Sequence, residues 1–119
     1  METILDKMHI DLDGLFRTIK HPLVILDKDD NIVTSNDDAE FFFGLSRNIL
    51  NKYKFTALYS STSPLYYLIN QSREKKTTIR EYSLMLKNII DKKEHEVDIQ
   101  VSPFEDTDYL LLMFIERGI

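Results

Sequence analysis

The chain has 119 residues, with 15 Lys+Arg against 20 Asp+Glu for a net charge of −5, and is 43% hydrophobic. That is the size and mix of one soluble domain able to hold its own core. With no Cys and three Gly, disulfides, Cys-ligated zinc, iron–sulfur clusters and a glycine-rich phosphate cradle are excluded, and the acidic balance argues against nucleic acid or an anionic membrane as a partner.

Residues 1–20 read as an amphipathic helix. Leu5, Met8, Leu12, Leu15 and Ile19 step by three and four, with Phe16 beside them and Asp6, Lys7, Asp13 and Arg17 opposite. His21-Pro22 ends the helix, because the residue before Pro is pushed out of the α region. The acids and bases interleaved here do not form a secretory signal. The longest apolar run, Tyr109 to Ile115, falls far short of the ~20 residues that span a bilayer. A cytoplasmic location is therefore the expectation.

From residue 21 the period shortens. Leu23-Val24-Ile25-Leu26 is a buried strand, Asp27 to Asn31 a polar turn with Asn31 suited to positive φ, and Ile32 to Ser35 a β-branched strand. Together they make a hairpin. Asn36 or Asp37 reads as the cap of a helix carrying Ala39, Phe42 and Phe43, and Gly44 as its stop. Ser46 to Asn51 is a further helical turn, and Phe55 to Ser61 a short helix and loop. Ser63 caps a better helix, with Pro64 at its first position and Leu65, Tyr66, Leu68 and Ile69 on its apolar face. That helix runs out at Arg73–Lys76, a solvated end.

Three strands follow. The first covers Thr77 to Leu86 with imperfect alternation through Ile79, Tyr82, Leu84 and Leu86. The second, Glu94 to Phe104, alternates cleanly, with Val97, Ile99 and Val101 on one face and Glu96, Asp98, Gln100 and Ser102 on the other. The third, Tyr109 to Ile115, is nearly all apolar and belongs in the middle of the sheet. The class is α+β: a five-stranded antiparallel sheet with short helices on one face.

The run Ile25-Leu26-Asp27, the turn to Asn31, Ile32-Val33, Asn36-Asp37-Asp38-Ala39 and Phe41-Phe42-Phe43-Gly44 resembles the PAS family of sensor domains, as does the order of elements over Leu15 to Glu116. Asn31 stands where the family prefers Gly. The Asp-Ile-Thr that often closes such domains is replaced by Ile115-Glu116-Arg117-Gly118. A narrower likeness is to the amino-terminal domain of nitrogen-regulation (NtrB-type) sensor histidine kinases. It rests on the helix leading into His21-Pro22-Leu23-Val24-Ile25, on Ala39 to Phe42, on Ser63-Pro64-Leu65, and on Val97 to Pro103.

The resemblance implies a dimerisation helix over 1–20, a sensor domain over 21–117, and in 118–119 the start of an exit to an output domain. It implies an input domain that modulates autophosphorylation and phosphotransfer by a kinase core outside this chain. The chain would act as a homodimer, on a response regulator only indirectly, with no nucleic-acid or membrane partner. The alternatives are a PAS domain serving a transcription factor or cyclic-nucleotide enzyme, and a stand-alone small-ligand module.

No catalytic residue, metal site or cofactor is assigned. His95-Glu96 imitates a phosphoacceptor motif but sits in strand-period sequence, and is read as an exposed residue at a strand start. Haem-binding members of the family supply a His from the Ser63–Lys76 helix, which has none, and light-sensing members use a Cys. The aromatic middle has two readings. One is a ligand pocket lined by Phe42, Phe43, Tyr59, Leu68 and Leu84; the preferred one is plain core packing, with one ring of Phe41–Phe43 left exposed for a partner. The stripe of Leu5, Met8, Leu12, Leu15, Phe16 and Ile19 must be buried somewhere, either on its own sheet or against the same helix of a second protomer; the family resemblance favours the second, a C2 dimer interface.

Overall fold

The computed structural model describes Gly14, Phe16 and residues 18–117. Gly14, Phe16 and Thr18 are helical, in keeping with the expected first helix. Leu5, Met8, Leu12 and Leu15 lie outside the described residues.

Strands β1 (Leu23–Leu26) and β2 (Ile32–Ser35) form the first hairpin. Asp27 builds the turn: its Oδ1 accepts from the backbone N–H groups of Asp29 (2.8 Å) and Asn31 (3.0 Å). The left-handed residue is Asp30, at φ 63°, and not Asn31. Asn31 is held in place instead, because its side-chain amide donates to Asp27 Oδ2 at 3.0 Å and its backbone bridges to Lys54.

Helix α1 (Asp37–Phe43) is capped by Asn36 and stopped by Gly44, at φ 70° with its N–H on the Glu40 carbonyl. Helix α2 (Arg47–Leu50) is a single turn capped by Ser46, and Phe55–Ala57 is a 3-10 turn. Helix α3 (Pro64–Lys75) has Ser63 as its cap and Pro64 in its first turn, and buries Leu65, Tyr66, Leu68 and Ile69. All four lie on the apolar face that the residue spacing predicts.

β3 (Ile79–Lys87), β4 (Glu94–Pro103) and β5 (Leu110–Glu116) complete a five-stranded sheet in the order β2-β1-β5-β4-β3, antiparallel throughout. β5 is central, as its unbroken apolar character requires. The imperfect alternation of β3 has a physical cause. Its register to β4 slips between Glu81 and Leu84, so Ile79, Leu84 and Leu86 face the core or its rim while Tyr82 is 62% exposed. One core cluster joins the helices to the inward residues of the sheet: Val24, Leu26, Val97, Ile99, Val101, Leu112 and Phe114 among them.

Candidate functional site

The residues singled out as a possible pocket come together, and they fill the space they line. Phe42, Phe43, Tyr59 and Leu68 are buried in the core, with Leu84 packed against it. Phe114 of β5 is their hub. Its ring centroid lies 5.2 Å from Phe42, 5.6 Å from Phe43 at an 88° edge-on angle, and 6.5 Å from both Phe55 and Tyr59. These are the tilted, edge-on and, for Tyr59, offset-stacked packings of ordinary core aromatics. Burial raises the phenol of Tyr59 above its usual range, and the nearby Asp91 carboxylate adds to this. Burial likewise raises Tyr66, with Asp30 adding and Arg73 opposing. Both phenols stay neutral at physiological pH, so neither supplies a charge or a nucleophile.

His95 does not stand free as expected. It begins β4, but on the inward face, opposite Leu86 and two residues before Val97. Its ring is half-buried at 4.6 Å from Phe42. The strand period that argued against a phosphoacceptor is the same period that turns the ring toward the core.

Of the three adjacent phenylalanines, Phe41 is the exposed one, at 91%. It shares a shallow surface hollow with Lys20, His21, Pro22, Asp38 and Glu116, where the chain enters and leaves the sheet. Asn36 anchors this junction from inside. Its Oδ1 accepts from Leu23 N (2.9 Å) and Ala39 N (3.0 Å), and its Nδ2 donates to the carbonyls of His21 (2.8 Å) and Ile19 (3.3 Å).

The sheet face away from the helices is divided. Ile25, Leu111, Met113 and Ile115 present an apolar stripe on the two central strands, all half-buried. β4 presents Glu96, Asp98, Gln100 and Ser102. Leu23 (1% exposed) and Phe16 (8%) are buried, yet neither belongs to the main core cluster. Phe16 is therefore already covered within a single chain. Ile19 is half-buried.

Two charged residues act in ways that sequence spacing did not signal. Arg73, expected on a solvated helix end, ties two loops to α3: its guanidinium donates to the Asp27 carbonyl (2.8 Å), Asp30 Oδ1 (2.7 Å) and the Asp108 carbonyl (2.9 Å). Arg117 pairs with Asp98 at 2.7 Å. A basic residue ending a helix or strand looks the same in sequence whether solvated or clamped. Among the described residues no three His, Asp or Glu side chains gather as metal ligands, and no helix is long and apolar enough to cross a membrane.

The family described as PAS fold matches residues 10–117. The sensory histidine kinase/phosphatase NtrB of Rhizobium meliloti (strain 1021) is 29% identical over 107 residues, covering 89% of this chain and 28% of that protein. The chain thus spans little more than a quarter of that relative's length. Among solved structures, the PAS domain of nitrogen regulation protein NR(II) from Vibrio parahaemolyticus superposes with a TM-score of 0.76 at 19% identity, covering 90% of this chain and 99% of that one. A PAS domain from Colwellia psychrerythraea gives 0.75 at 14% identity, covering 97% and 98%.

Proposed function

The chain belongs to the PAS family, and from that premise we propose that it is the sensory and dimerising input domain of a cytoplasmic histidine kinase of the nitrogen-regulation type. The observation that carries this reading is the kinship with NtrB over 89% of the chain. The packed aromatic core supports regulation by geometry over chemistry performed here. In this reading two copies associate through the seam of Leu5, Met8, Leu12, Leu15 and Ile19, to which Phe16, already covered within one chain, adds little. A shift of that helix pair or of the sheet biases two packings of the helices downstream. Autophosphorylation and transfer to a response-regulator Asp belong to a kinase core elsewhere in the polypeptide.

The reading frame past codon 119 tests the assignment. Continuation into a helix bearing His-Glu or His-Asp, followed by Asn- and Gly-rich ATP-binding boxes, supports it. A different output domain, or none, overturns the kinase assignment and leaves the PAS fold standing. The dimer has its own test: Leu12→Asp should lower the sedimentation coefficient to that of a monomer at high micromolar concentration while leaving the strand signal in circular dichroism intact. Association equal to wild type would remove the helix from the interface.

A further inference from the structure

β3 is an edge strand, and its ladder to β4 is interrupted once. Glu81 faces Ile99 and Leu84 faces Val97, so Tyr82 and Ser83 together oppose the single residue Asp98. Two residues against one is a bulge. Ser83 lies in the left-handed region at φ 56°, a conformation costly for any residue with a Cβ and kept only where its surroundings hold it. What holds it is a side chain: the Ser83 N–H donates to Asp98 Oδ1 at 2.9 Å.

That same oxygen has a second donor. Arg117 Nε reaches Asp98 Oδ1 at 2.7 Å, and the Arg117 backbone N–H donates to the Glu96 carbonyl at 3.0 Å. Arg117 directly follows β5, so its two bonds fix the direction in which the chain leaves the central strand. β3 and β5 do not touch, because β4 lies between them. A single carboxylate oxygen on β4 therefore joins a bulge on the edge of the sheet to the exit from its middle. A bulge that straightens returns its extra residue to the ladder, so this one can serve as an element with two arrangements, which is what coupling requires.

We propose that the Asp98 carboxylate couples the Ser83 bulge to the Arg117 exit, so that the two are held or released together and an event at the edge strand reaches the chain leaving β5. The inference rests on reading the domain as a signalling input and names the route within it. A strand pairing along the edge of β3 would straighten the bulge and withdraw the Ser83 amide. The carboxylate is then free to move with Arg117.

Amide hydrogen exchange by NMR on the 119-residue chain tests this directly. Arg117→Gln should speed exchange at the Ser83 amide by at least fivefold. The Phe114 amide, which donates to the Pro22 carbonyl at 2.9 Å, should change by less than twofold. In the reverse direction Ser83→Gly, which removes the cost of the left-handed conformation, should slow exchange at the Arg117 amide. The proposal is overturned if Ser83 exchange in Arg117→Gln, or Arg117 exchange in Ser83→Gly, stays within twofold of wild type. Neither readout depends on dimerisation or on a kinase core, so its failure is separate from failure of the functional reading.

Discussion

Four hydrogen bonds converge on the side chain of Asn36, which is 1% exposed. Its cap role was legible, because Asn before a run of acids is a common helix start. Its bonds to Leu23 N and to the His21 and Ile19 carbonyls were not, since they join residues 13 to 17 apart in sequence. Asn36→Ala should destabilise the domain by about 3 kcal/mol, more than the ~1 kcal/mol of a lost cap, because the buried Leu23 N–H is left without its acceptor. Urea unfolding measures this, and a loss near 1 kcal/mol would mean that water replaces the missing amide.

The charged residues set the response to acid. Slight burial pushes Asp27 up, but the bonds from the Asn31 side chain and from the Asn31 and Asp29 backbones outweigh it, with Lys54 adding, and the carboxyl is held below its usual 3.8. Asp98 is also held low, by the Ser83 N–H first and then by Arg117. A depressed folded-state value means that both contributions are complete above the unfolded-state range and fade as pH falls through the lower folded values. Stability should therefore be flat from pH 7 to about pH 5 and fall below pH 4. Replacing both residues by Asn should flatten that acid limb in urea titrations taken at successive pH values.

At the scale of elements, the stops and starts were the most legible features. Gly44 ends α1 at φ 70°, and a Cβ there would meet nothing within 4 Å. Gly44→Ala should therefore cost only the conformational term, about 1 kcal/mol, read as a lower melting temperature with an unchanged denaturant slope. Ser63-Pro64 placed the start of α3 for a local reason as well: a hydroxyl cap and a fixed φ act within one turn. β3 was blurred because a bulge shifts the alternation by one residue midway. Only the pairing with β4 reveals which of Ile79, Tyr82 and Leu84 point inward.

At the scale of the molecule, Phe114 is the point on which α1, the 3-10 turn and the sheet agree. Phe114→Ala should cost about 3–5 kcal/mol, since the rings around it cannot all collapse into the space left. Loss of cooperative thermal unfolding would be the visible sign. A cost under 1 kcal/mol would mean that the aromatic cluster repacks freely, and would revive the ligand-pocket reading of Phe42, Phe43 and Tyr59.

The sequence by itself determined the α+β class, the strand and helix order, the central place of β5 and the family resemblance. The first three rest on periodicity, caps and composition, which act over a few residues, and the resemblance rests on short motifs such as Asn36 to Ala39 and Phe41 to Gly44. Tertiary structure alone decided the rest. It put positive φ at Asp30 and not Asn31, turned His95 inward and left Phe41 bare. It brought Arg73 to Asp27, Asp30 and Asp108, and set Asp98 between Ser83 and Arg117. Most of these are meetings of segments far apart along the chain, and a contact across the fold leaves no period, cap or spacing in the residues that make it; the φ at Asp30 is local, set by which turn amides reach Asp27.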